Sequence, residues 1–96
     1  MKKVYLSKNA RIDLIEIKDY TTYRWGKEKA ETYIRSIYLV SDKIAQKELP
    51  GKDREEIAPE TKSYHVGRHM LFYRETSDGI VIARVLHDSM DFKRHF

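Results

Sequence analysis

The sequence predicts an α+β fold in the order β-α-α-β-β-β, with a helical hairpin packed on one face of an antiparallel sheet. Three observations carry that expectation. The runs Met70–Tyr73 and Ile80–Leu86 flank Thr76-Ser77-Asp78-Gly79. Asp-Gly between two β-prone runs marks a tight hairpin, because the turn needs positive φ and these residues accept it. Ala10, Leu14, Ile17 and Thr21 recur at helical spacing, and Ala30, Tyr33, Ile34, Ile37, Val40 and Ile44 do so again after Trp25-Gly26. Helices joined by so short a connection fold back as an antiparallel pair, and the sheet is the surface available to cover their apolar faces.

Length and composition set the frame. The 96 residues suit one small domain over residues 1–96. Hydrophobic residues make up 41% and charged residues 35%, a globular balance rather than a disordered one. The absence of cysteine excludes disulfides and thiolate metal sites and fits a reducing compartment. No apolar stretch after Met1-Lys2-Lys3 is long enough for a signal peptide, and none approaches a membrane span, so a cytoplasmic location is expected. The net charge of +4 and the pI of about 9.3 favour an anionic partner, either nucleic acid or an acidic protein segment.

Each element has a local reason. Lys3 to Leu6 is a short β-prone run, which joins the meander because it cannot form a sheet alone. Ser7 is a good N-cap, although Ala10 stands where a capping-box Glu or Gln would be. The first helix is expected from about Lys8 to Arg24, with Asp13, Glu16, Lys18 and Asp19 on its wet side. Gly26 ends it as a left-handed cap. The second helix begins at Lys27 or Glu28 and closes near Gln46. Leu49-Pro50-Gly51 opens a polar loop that reaches Pro59, and Arg54, Glu55 and Glu56 inside it read as a solvated charge run. Lys62 to Val66 then joins the meander through Gly67. Alternation along the last strand groups Ile80, Ile82, Arg84 and Leu86 on one face and Val81, Ala83, Val85 and His87 on the other. Arg84 thereby shares a core-like face. A buried, unpaired charge is costly, so Arg84 needs a carboxylate, and Asp91 and Asp13 are the candidates.

Four stretches carry a family resemblance: Ala10-x-x-Asp13-Leu14-x-x-Ile17-x-x-Tyr20-Thr21, Trp25-Gly26, Val66-Gly67-Arg68-His69-x-x-Phe72-Tyr73-Arg74, and Ile82-x-Arg84-Val85-Leu86-His87-x-x-Met90-Asp91. Through them the chain resembles the ParE toxins of bacterial toxin–antitoxin modules, within the RelE/ParE superfamily. The last two stretches are the more specific. The resemblance spans nearly the whole chain and implies the same β-α-α-β-β-β order. It also implies a cytoplasmic toxin that inhibits DNA gyrase without catalysis, and a ParD-like antitoxin with an acidic C-terminal segment that neutralises it. RelE relatives on the same fold cleave ribosome-bound mRNA instead, and a fold alone does not separate the two. A third possibility is a non-toxic relative that only binds antitoxin. Lys62 departs from the family pattern: it stands where an Arg is expected, after Glu60-Thr61 in place of Gly-Tyr.

The site candidates follow from residue type. Lys62, Arg68, Arg74, His87, Lys93 and Arg94 are candidate target contacts. Tyr23, Trp25 and Tyr38 are candidate antitoxin contacts, since apolar grooves receive amphipathic segments. The alternative is that Tyr20, Trp25 and Tyr33 simply close the helical hairpin. Metal-free RNA cleavage needs a base, an acid and cations on the phosphate, and Arg74, Arg84 and His87 beside Tyr73 supply those types. The favoured reading is structural: Arg74, Arg84 and Asp91 as a charge set, with His87 capping the last strand. His65-x-x-x-His69 has helical metal-ligand spacing but spans a strand turn, so neither a metal nor a cofactor is expected. In the closing stretch Asp88–Phe96, Met90 and Phe92 are expected to pack, and Lys93-Arg94-His95 to stay solvated or meet a target. Direct nucleic-acid contact is left open.

Overall fold

The computed structural model describes residues 2–96. The elements are β1 (Lys3–Leu6), α1 (Lys8–Trp25), α2 (Lys27–Ala45), β2 (Lys52–Asp53), β3 (Lys62–Val66), β4 (His69–Thr76) and β5 (Gly79–His87), followed by a 3-10 turn at Phe92–His95. The five strands form one sheet in the order β1-β5-β4-β3-β2. The helical hairpin lies on one face of it. Its Ala10, Leu14, Ile17, Ile37 and Ile44 pack with Leu71, Tyr73, Ile80, Ile82 and Val85 of the sheet.

The α+β layering is as expected, while the sheet is mixed rather than wholly antiparallel. β1 runs parallel to β5, with Lys3 opposite Gly79 and Leu6 opposite Ile82. Apolar alternation is the same for both pairing senses, so the sequence pattern does not encode this direction. β2 is also additional. Its two residues pair with Ser63 and Lys62 and carry no apolar signal of their own.

Local chemistry fixes the joins. The Ser7 hydroxyl accepts the Ala10 N–H at 3.0 Å, which is the expected cap, and donates to the Ala83 carbonyl at 2.7 Å. The Ser7 N–H donates to the Ile82 carbonyl, so one residue ends β1, starts α1 and holds both to β5. Gly26 donates to the Thr22 carbonyl at φ 95° and ψ 164°, outside the left-handed helical cap that the sequence suggests. Gly79 serves the approach of β1: a Cβ there would lie 1.8 Å from the Lys3 carbonyl oxygen.

A β-bulge divides β5. Phe72 pairs with Arg84, yet the next residue, Tyr73, pairs with Ile82, leaving Ala83 as the extra residue. Simple alternation fails from that point. Ile80 and Ile82 face the helices and so do Val85 and His87, whereas Arg84 and Leu86 turn to the opposite, outer face. The expected grouping of Arg84 with Ile80 and Ile82 is thereby overturned.

Candidate functional site

Arg84 is anchored where β1 ends and leaves the edge of β5 open. Its Nε and Nη2 each donate to an Asp13 carboxylate oxygen at 2.8 Å, a bidentate pair. The same carboxylate accepts the Val85 backbone N–H at 2.9 Å. Asp13 is therefore 7% exposed rather than on the wet side of α1, because it completes the strand edge that β1 is too short to cover. Asp13, not Asp91, is the partner. Its hydrogen bonds, with its charge, raise the Arg84 pKa further. The remaining Arg84 Nη1 donates to the His95 carbonyl.

A second cluster forms under the β3–β4 turn. Gly67 adopts φ 57°, and a Cβ there would lie 2.7 Å from the Tyr33 ring. The turn needs both the conformation and the space. The Tyr33 hydroxyl accepts the Arg68 N–H at 3.1 Å, donates to the Val66 carbonyl at 3.2 Å and touches His69 Nδ1. All of these groups are satisfied when His69 carries its proton on Nδ1. The Tyr33 phenol is raised above its ordinary value, chiefly by burial. His69 is pushed down to about 4, first by burial and then by the neighbouring His87. Those two rings meet edge-on at 5.3 Å. His87 Nδ1 accepts the Ser89 N–H at 3.1 Å, which leaves the ring proton on Nε2.

The third cluster lies on the outer face. Phe72 is fully buried there because Phe92 and Phe96 cover it, with ring centroids 4.9 Å and 5.1 Å away. Pairs of this kind contribute about 0.5–1.5 kcal/mol each beyond area burial. The Arg54 guanidinium sits over both Phe72 and Phe92, and its Nε donates to the Ser63 hydroxyl. Arg54 is thus part of the packing and not of a solvated charge run. Its role was not legible, since a guanidinium in a polar loop gives no sign of an aromatic partner. Phe92 packs as expected, but Met90 is 44% exposed.

The candidates scatter over several surfaces. Arg74 is exposed on the outer face, and Lys93 and Arg94 are exposed on the segment that covers Phe72. Lys62 pairs with Tyr73, so it is on the opposite face, within 4 Å of Asp53 and Glu75 carboxylates. Arg68 is exposed at the β3–β4 turn. His87 pairs with His69 on the helix-side face, away from Arg74 and Arg84. His65 and His69 fall on opposite faces of the sheet, so they cannot share a metal ion. Among the described residues no group of metal-ligating side chains converges. At the hairpin tip Tyr23 is 85% and Trp25 60% exposed, so Trp25 does not close the hairpin. Arg24 and Lys29 each stand 5.7 Å from the Trp25 ring centroid. Tyr38 is exposed further along α2.

A helical hairpin over a mixed five-stranded sheet, closed at the β5 edge by an Asp–Arg pair, places the molecule in the class of RelE/ParE-like α+β proteins. A solved structure described as the chromosomal ParDE TA system from P. aeruginosa shares the fold, with a TM-score of 0.75 over 91% of this chain and 96% of that one at 20% identity. The family model described as "ParE toxin of type II toxin-antitoxin system, parDE" matches residues 4–92, and the chain belongs to that family. Toxin ParE1 of Mycobacterium tuberculosis is 40% identical over 91 residues, covering 94% of this chain and 93% of the relative. Toxin ParE1 of Caulobacter vibrioides is 35% identical over 95 residues, covering 99% and 98%. No described helix is long and apolar enough to cross a membrane.

Proposed function

We propose that this ParE-family toxin acts in the cytoplasm by binding and inhibiting DNA gyrase, without catalysis, and that a ParD-like antitoxin with an acidic C-terminal segment neutralises it. One observation carries the preference for binding over RNA cleavage: the residue types that cleavage would need do not converge. Arg84 is spent on Asp13 and the His95 carbonyl, and His87 faces the other side of the sheet from Arg74. Target contact is assigned to the exposed cations Arg68, Arg74, Lys93 and Arg94, with His87 at the edge. Lys62 drops to a secondary role because two carboxylates hold it. Antitoxin contact is assigned to the exposed Tyr23, Trp25 and Tyr38, of which Trp25 stands beside Arg24 and Lys29, a pairing that suits an amphipathic acidic segment.

The test is direct. Purified protein should inhibit gyrase supercoiling and leave ribosome-bound mRNA intact. Induction without antitoxin should give filamentous cells and a DNA-damage response while translation at first continues. Prompt translational arrest with message cut in the ribosomal A site would replace this reading with the RelE-like endoribonuclease.

A further inference from the structure

We infer that the outer face of the sheet is a binding surface for the phosphate backbone of duplex DNA, using cations that include the target contacts assigned above but needing no gyrase. The register aligns one row across that face: Lys52 opposite Ser63, Ser63 opposite Phe72, and Phe72 opposite Arg84. Neighbouring strands lie about 4.8 Å apart, so this row spans roughly 15 Å. Arg74 stands on the same face two residues beyond Phe72. Lys93 and Arg94 project from the segment whose Phe92 and Phe96 grip Phe72. Lys52, Arg74, Lys93 and Arg94 are all exposed, and among the described residues none of them enters a salt bridge. The carboxylates nearby are few. Glu56 is held by Arg54, Asp88 lies 3.1 Å from His65 of the same face, and Asp91 stands at the head of the 3-10 turn. Over the helices, by contrast, Glu16, Asp19, Glu28, Glu31 and Asp42 are interleaved with the cations.

The kind of polyanion follows from what the face lacks. Single strands are held by stacking bases on exposed aromatic rings. Here Phe72 is fully buried and Phe92 half-buried, and Phe96, 44% exposed, is packed edge-on against Phe72, so no row of open rings is offered for successive bases. An acidic protein partner would want uncovered apolar surface at the centre of the contact. Phe72 and Leu86 are 0% and 2% exposed, so the centre of this face is already closed. What remains is positive charge on a broad, open surface, which is the requirement for backbone contact with duplex and carries no sequence readout.

The test uses the full chain and a fluorescently labelled random-sequence duplex of about 20 base pairs, followed by anisotropy without gyrase or antitoxin. Binding in the micromolar range is expected at low salt, with log K falling against log salt at a slope of about −2 to −4 for the phosphates engaged. Arg74→Glu, Lys93→Glu and Arg94→Glu combined should weaken binding at least tenfold and flatten the slope, with an unchanged thermal melt. Lys52→Glu, outside the covering segment, should act in the same direction. Lys8→Glu, Arg11→Glu and Lys18→Glu combined, on the exposed side of α1, make the matched charge control and should have a clearly smaller effect. Equal loss in the control, stronger binding to single strands, or no binding at low salt would each overturn the inference. The assay contains no gyrase, so its failure would leave the gyrase reading standing.

Discussion

Removing the Asp13 carboxylate leaves three donors without a partner: Arg84 Nε, Arg84 Nη2 and the Val85 backbone N–H. Asp13→Ala is therefore expected to cost about 3–5 kcal/mol, the usual range for breaking a buried pair from one side. Arg84→Ala should cost less, because the Arg84 side chain is 19% exposed and Asp13 keeps its bond to Val85. Denaturant midpoints of the two variants check the order. His69 gives a pH signature. Its folded pKa is about 4 and its unfolded value 6.5, so between those values the unfolded chain takes up the proton and the folded chain does not. Stability is complete above pH 6.5, falls as the pH drops through that window, and levels off below about 4 for this group. His87 and His65 oppose the charge, while Asp88 and Asp13 favour it. His69→Gln should flatten the slope of melting temperature against pH over this range. The sequence made Arg84's need for a carboxylate legible from its place among apolar residues. It did not choose Asp13, because the charge of that side chain placed it with the wet residues, although Asp13 stands three residues after Ala10 and four before Ile17, on the buried face of α1.

The β3–β4 hairpin and α2 meet through Gly67 and Tyr33. Gly67→Ala places a Cβ in a strained conformation and against the Tyr33 ring, and a loss of about 1–3 kcal/mol is expected. In a Tyr33→Leu background the ring clash is gone and only the backbone strain remains. The double-mutant cycle should therefore show a coupling of at least about 0.5 kcal/mol. The covering turn at Phe92–His95 is the weaker element, a single 3-10 turn held by aromatic contact and one guanidinium–carbonyl bond. Phe92→Ala should expose Phe72 and lower stability by about 1–3 kcal/mol, less than a fully enclosed phenylalanine would, because Phe96 still covers the ring. Urea melts of the two variants give both numbers. The elements α1, α2 and β5 were readable within a residue or two at each end, while β4 runs three residues past the expected Tyr73, to Thr76. The bulge at Ala83 was not, since one extra residue in a β-branched run leaves the composition unchanged, and it is this bulge that moves Arg84 across the sheet.

Helical hairpin, meander and layer order all followed from apolar spacing, whereas the placement of β1 did not. Strand direction depends on where the rest of the chain delivers the strand, and no local pattern records it. The surface chemistry was legible only as residue types. Which cations share a face depends on the register of three strands and one bulge. At this scale the +4 charge should steer association with an acidic antitoxin. Its association rate constant should fall at least several-fold between about 50 and 300 mM salt, measured by stopped flow, with a smaller change in dissociation. The parallel β1–β5 pair also orders events in time. Lys3 leaves the ribosome long before Gly79, its partner, has been made. At translation rates of roughly 5–20 residues per second, β1 waits on the order of 4–15 s for the strand that completes its edge. A nascent chain in that interval lacks β5, Arg84 and the cover over Phe72. The outer face is thus completed only by the last third of translation, whereas the exposed aromatics of the helical hairpin, Tyr23, Trp25 and Tyr38, are made well before it.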